Sequence, residues 1–222
     1  MNKKQKRIFY IGTAFTVAFV LWTLIVKFLD VGDIGPLRSS VGLSHINGYL
    51  HKLIGVNMTL YTITDWLGIL PVLVAFGFAI AGFIQLIRRR SFKKVDGGII
   101  ALGIFYTAVI CVFVLFERVV INYRPILIGG VLEASYPSST TLLFTTVMPT
   151  ASIELSSHTS SKRARAVIYV IFTFFTLFGV VGRIFSGVHW TSDIIGGLLI
   201  SAGLDLLYLV LRGCFNKIQE KT

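Results

Sequence analysis

Cysteine, acidic residues and charge as a whole are scarce in this chain of 222 residues, and each scarcity excludes something. The two cysteines, Cys111 and Cys214, lie far apart in or just after apolar runs, so neither a disulfide framework nor a thiolate metal cluster is indicated. No His-Glu-x-x-His pattern and no clustered carboxylates and cysteines occur, which disfavours metal-assisted hydrolysis. Charged residues make up only 14% against 55% hydrophobic, which excludes an ordinary soluble domain and points to an integral membrane protein. The net charge of +11 would suggest nucleic acid as a partner for a soluble chain. Here the basic residues gather at the ends of apolar segments, where they set topology and meet anionic lipid headgroups, so no nucleic-acid role is expected. The basic start MNKKQKR is followed by an apolar run with no small-residue cleavage site before Asp30, which reads as an uncleaved first helix.

What is present is a series of apolar runs. A spanning helix needs about 20 largely apolar residues. Six segments qualify: Ile8 to Phe28, Tyr61 to Ile87, Gly97 to Ile121, Ser139 to Leu155, Ala166 to Phe185, and Thr191 to Leu211. The fourth is short, rich in hydroxyls and carries Pro149. The expectation is an all-α polytopic membrane protein of six transmembrane helices and a single domain over residues 1–222, with no internal repeat or linker. Fifteen of the 21 basic residues then fall on one side: Lys3 to Arg7, Arg88 to Lys94, Lys162 to Arg165, and Arg212 to Lys221. Positive residues stay inside, so both termini are expected in the cytoplasm. The segment from Asp30 to Met58 then lies outside, where Leu43, Ile46, Leu50 and Ile54 are spaced as the apolar face of a helix on the membrane surface.

Three polar clusters fall on the same outer face, where ionisable residues at a bundle's edge are costly and therefore functional candidates. In Asn122-Tyr123-Arg124-Pro125 the proline holds Arg124 out of helical geometry, leaving a planar guanidinium suited to phosphate oxygens. In YPSSTT, Ser138, Ser139 and Thr140 open the fourth span, both as an N-cap and as a helix start able to bind an anion. In GRIFSGVHWTSD, Arg183 precedes His189, and Asp193 lies four residues beyond it. A carboxylate beside an imidazole fixes its tautomer, the logic of a nucleophilic dyad. Together these residues suit a phosphorylated lipid headgroup.

With these motifs the sequence resembles the type 2 phosphatidate phosphatase family of membrane lipid phosphatases, which share a helical core with vanadium haloperoxidases. That family's signature runs K-x6-RP, PSGH and SR-x5-H-x3-D. The third part matches in Arg183, His189 and Asp193, with Gly182 in place of the leading serine. The first keeps Arg124 and Pro125 but has Glu117 where lysine is expected. The second reads PSST, with Ser139 for glycine and Thr140 for histidine. The resemblance implies a haloperoxidase-like core and a substrate that is a lipid phosphate or diphosphate, such as a polyprenyl diphosphate, phosphatidate or phosphatidylglycerol phosphate. It implies no cofactor and no metal. His189 would attack phosphorus, Asp193 would orient it, and Arg124 and Arg183 would hold the phosphate with the hydroxyl-bearing helix start. It further implies a bacterial plasma membrane, with the site on the extracytoplasmic side. The missing second-motif histidine would protonate the leaving oxygen, a role worth about 10²- to 10⁴-fold that Thr140 cannot fill at neutral pH. An alternative expectation follows: a catalytically impaired relative that binds phospholipid without turnover. His158 lies too far along its helix to substitute, and His45 or His51 would need a folded-over lid.

Overall fold

A computed structural model describes residues 1–219, and among them the fold is entirely helical. Eight α-helices follow in order: α1 (Lys3–Phe28), α2 (Ser44–Ile54), α3 (Met58–Leu67), α4 (Ile69–Arg89), α5 (Gly97–Arg118), α6 (Ser139–Ser157), α7 (Lys162–Ser186) and α8 (Thr191–Gln219). Polar residues start most of them. Asn2, Asn57, Asp96, Ser138 and Ser161 each accept a backbone N–H of the first turn, satisfying a donor that the helix itself leaves unpaired.

Five stretches are long and apolar enough to cross a membrane: α1, α3 continued by α4, α5, α7 and α8. Large apolar side chains such as Leu21, Phe76, Ile110 and Val170 remain exposed along them, the surface that lipid rather than water would cover. The expected fourth span corresponds to the helix α6, which is not among these five and differs in kind from them. Most of α6 is buried among its neighbours, so its outer surface need not be greasy. Three of its buried threonine hydroxyls bond back along the helix: Thr145 donates to Thr141 O at 2.6 Å, Thr146 to Leu142 O at 2.7 Å, and Thr150 to Thr146 O at 2.6 Å. Helices α7 and α8 pack directly on α6, and α1 packs along α8.

The expected second span is likewise more structured than a single rod. The helix breaks at Gly68, three residues before Pro71, so α3 and α4 are separate helices and α3 lies against α7. The helix expected on the membrane surface is α2, with Leu43 just before it buried and Ile46 exposed. Its inward face carries Asn47, which bonds Gly42 O and the Ser192 hydroxyl at 2.8 and 2.9 Å. Polar docking by Asn47 and burial of Leu43 in the core together fix this lid.

The basic segments converge on one end of the bundle. Gln5 of α1 meets Gly213 of α8, His158 after α6 lies 3.3 Å from Asp96 before α5, and Arg212 bonds Glu154 at 2.7 Å. Both described ends of the chain are therefore at the same end of the bundle, and the candidate site residues gather at the other.

Candidate active site

His189 sits in the short loop between α7 and α8, placed by the left-handed conformation of Gly187, where φ is 65°. A side chain at that glycine would also strike the Gly55 carbonyl of the lid connection, so glycine is required twice over. The imidazole is buried, and its two nitrogens have distinct partners. Nδ1 lies 3.1 Å from the Ser135 carbonyl, which can only accept, so Nδ1 carries the proton. Nε2 then presents its lone pair, toward which Arg124 Nη1 donates at 3.2 Å. The ring is thus held in the tautomer a nucleophile needs.

Asp193 has a different part from the one expected. It is four residues from His189, but α8 begins at Thr191, so the pair does not share a helical face. Asp193 Oδ2 accepts Trp190 N at 3.0 Å and Oδ1 accepts Asn122 Nδ2 at 3.1 Å, which clamps the loop. Its distance to His189 Nδ1 is 3.8 Å, long for a hydrogen bond, so it supports the ring by charge while the Ser135 carbonyl sets the tautomer. Burial pushes the His189 imidazole down to about 4 despite the upward pull of Asp193. Arg124 and Arg183 push it the same way as burial. The neutral form therefore persists through the physiological range.

This depressed value has a stability consequence. The unfolded histidine takes up a proton near its ordinary 6.5 and the folded one only near 4. The folded state is accordingly unpenalised above 6.5 and loses stability as pH falls from there toward 4, by about 1.4 kcal/mol per pH unit, or a few kcal/mol in all. Thermal midpoints in detergent, compared between the parent and His189→Gln from pH 7 to 4.5, check this: the parent is expected to lose more. Equal losses would contradict it.

Arg183 stands on the last turn of α7 and is almost wholly buried. Its Nη2 donates to both Asp65 Oδ1 and Thr140 Oγ1 at 2.7 Å, and the guanidinium lies 5.0 Å over the Tyr61 ring. Its Nε and Nη1 are buried with no hydrogen-bond partner among the described residues. Two unmet charged donors in such a place call for an acceptor, and a phosphate oxygen supplies one. Gly182, where the resembled motif has serine, packs against Thr64 of α3, and a Cβ there would come within 2.3 Å of its methyl. The smaller residue is what lets the Asp65-bearing helix approach.

Arg124 is held by the loop after α5, whose backbone pairs Arg124 N with Glu133 O at 3.0 Å and Ser135 N with Asn122 O at 2.9 Å. Its Nε lies 2.9 Å from Glu133 Oε2 without the alignment of a hydrogen bond. A cleft of about 530 Å³ opens beside it, lined in part by apolar residues including Phe113 and Phe116 and in part by Glu117, Arg124, Glu133, Ser139 and His189. Glu117 forms no ion pair among the described residues and is one of the residues lining this cleft. Ser138 is fully buried and caps α6, accepting from Thr141 Oγ1 at 3.0 Å, so it shapes the helix start rather than facing the cleft. Thr140 reaches the site only through Arg183.

None of the other histidines stands in for the one missing at Thr140. The lid does fold over, but His51 Nε2 is bound to Gly187 O at 3.0 Å with its ring against Trp190. His45 pairs with Asp30 in an exposed position, and His158 lies at the opposite end. Sequence reasoning missed Asp65, Glu133 and the Ser135 carbonyl. Asp65 had a signal: it is a carboxylate inside an apolar run, which is expensive unless partnered.

Residues 125–216 match the family model described as the PAP2 superfamily. That stretch includes Ser138, Thr140, Arg183, His189 and Asp193 and begins just after Arg124. The fold is similar to the crystal structure of the first transmembrane PAP2 type phosphatidylglycerolphosphate phosphatase from Bacillus subtilis. The TM-score is 0.62 at 18% identity, over 94% of this chain and 97% of that one. No curated protein matches the sequence.

Proposed function

We propose, from the match of residues 125–216 to the PAP2 superfamily, that this chain is a membrane lipid phosphatase in which His189 is the nucleophile and a lipid diphosphate is the preferred substrate. The observation that carries the reading is the pairing of a neutral histidine, Nε2 lone pair free of its proton, with the buried, unpartnered Nε and Nη1 of Arg183. Substrate phosphate oxygens would take those donors and draw Arg124 Nη1 off Nε2. The Nε2 lone pair then forms an N–P bond while the P–O bond to the leaving group breaks, its electron pair departing with that oxygen. The resulting phosphoimidazolium keeps its Nδ1 proton on the Ser135 carbonyl, and the Asp193 charge offsets the new positive charge. Water then attacks phosphorus, the P–N pair returns to Nε2, and the water proton leaves with phosphate to solvent.

Thr140 selects among substrates in this scheme. A monoester expels an alkoxide, which needs a proton that no side chain here supplies, whereas a diphosphate expels a lipid phosphate that is already a weak base. The parent is expected to release phosphate at least tenfold faster from a polyprenyl diphosphate than from phosphatidate or phosphatidylglycerol phosphate. Thr140→His is expected to raise monoester turnover selectively, up to the roughly 10²-fold or more of a general acid. Equal rates on both classes in the parent would defeat the proposal.

A second reading has its own observations. Glu117 in the cleft lining and Asp65 and Glu133 on the two arginines make the site acidic for a phosphatase, which suits a relative that binds lipid phosphate without turnover. It predicts binding with no phosphate release, in the parent and in Thr140→His alike. In either reading the basic end of the bundle faces the cytoplasm and the site opens on the extracytoplasmic side of a bacterial plasma membrane.

A further inference from the structure

At the end of the bundle away from His189, a second cleft of about 620 Å³ opens between α6, α7 and α8. It is lined by Lys162, Arg165 and Tyr169 on one face of α7, by Ser156 and Ser157 of α6, and by Arg212 of α8. With α7 running about 37 Å from Lys162 to Ser186, this cleft is a full helix length from the candidate active site. The side chains of Lys162 and Arg165 form no ion pair or hydrogen bond among the described residues, while Arg212 is fixed by Glu154 at 2.7 Å, which holds its guanidinium at the cleft wall. Ser156 is buried, and its hydroxyl has no hydrogen-bond partner among the described residues. Three cations and an unmet buried hydroxyl around one concavity have the composition of an oxyanion site. Tyr169, Val170 and Ile171 beside it are exposed and apolar, giving the flank along which acyl chains would lie.

We propose that this cleft binds a phosphate group, and that its source is the headgroup of an anionic phospholipid in the leaflet at the basic end of the bundle. Lys162 and Arg165 supply charge, Arg212 a positioned fork, and Ser156 a neutral donor, a combination that distinguishes a fitted headgroup from diffuse attraction to a charged surface. The site is independent of the phosphatase reading and of its nucleophile.

The test measures lipid binding to the full chain in zwitterionic detergent, by native mass spectrometry and thermal shift, with phosphatidylglycerol, phosphatidylcholine and inorganic phosphate as probes. The chains compared are the parent, Lys162→Ala/Arg165→Ala and Arg124→Ala. The double variant keeps the Arg212–Glu154 pair and changes only unpaired side chains, so it retains the fold. Phosphatidylglycerol is expected to bind the parent and Arg124→Ala at least tenfold more tightly than phosphatidylcholine, and the double variant with that preference lost. Phosphatidylglycerol binding with weak inorganic phosphate binding identifies the lipid as the source, whereas equal effects of inorganic phosphate support the oxyanion site and overturn the lipid assignment. No headgroup preference in the parent, a preference unchanged in the double variant, or one lost in Arg124→Ala instead would overturn the site itself.

Discussion

Alanine at position 189 is expected to reduce phosphate release from a lipid diphosphate by about 10³-fold or more, the scale on which removing a nucleophile acts. The protein should still fold. Asp193 keeps its bonds to Trp190 N and Asn122 Nδ2, so the loop that carried the histidine stays clamped without the ring. The Ser135 carbonyl loses one donor at 3.1 Å, a cost of about 1 kcal/mol. A variant that elutes as the parent does, binds substrate and fails to turn it over is the expected outcome, measured by gel filtration and by released phosphate under saturating lipid. Such a result also separates the two functional readings, because a binding protein would lose nothing measurable in turnover.

The second large effect is expected at Arg183. Its Nε and Nη1 have no hydrogen-bond partner among the described residues, so in the proposed reaction they are available for oxygens whose charge grows as the P–O bond breaks. Arg183→Ala is expected to lower kcat/KM by about 10²- to 10³-fold, the magnitude of losing a preorganised donor in a water-poor site. Arg183→Lys is not expected to restore it. An ammonium can reach one partner as a point charge, but it cannot keep Asp65 and Thr140 on one nitrogen while presenting two further donors in a fixed plane. Asp65 is about half exposed, so its loss of a partner is relieved by solvent and the fold should tolerate the change. Steady-state kinetics of both variants against the parent measure this, and full activity in Arg183→Lys would contradict the bidentate role.

Much of this architecture can be read from residue order. The apolar runs, the basic connections and the spacing Arg183, His189, Asp193 mark helices and motif because each depends on neighbours within a few turns. What was not legible depends on distance in the chain. Asp65 reaches Arg183 across 118 residues, and only the break at Gly68 frees α3 to carry it there. The carboxylate–imidazole spacing suggested a direct dyad, yet the loop before α8 turns the ring to the Ser135 carbonyl, a backbone group that no side-chain pattern announces. Helix α6 read as an uncertain span because its hydroxyls lowered its hydropathy, and burial by its neighbours is what makes those hydroxyls acceptable. The departures Thr140 and Glu117 were visible from the start, and the geometry gives them consequences: Thr140 is an acceptor for Arg183, and Glu117 is part of the cleft lining.

The central claim is that His189 Nε2 becomes covalently phosphorylated during turnover. The most direct measurement is a rapid quench of the purified chain with a polyprenyl diphosphate labelled in its terminal phosphate, followed by peptide mapping of the retained label. The account predicts a transient, acid-labile and base-stable label on the peptide carrying His189, present in the parent and absent in His189→Ala. Phosphate release that proceeds without any such label, or that survives in His189→Ala, would contradict it.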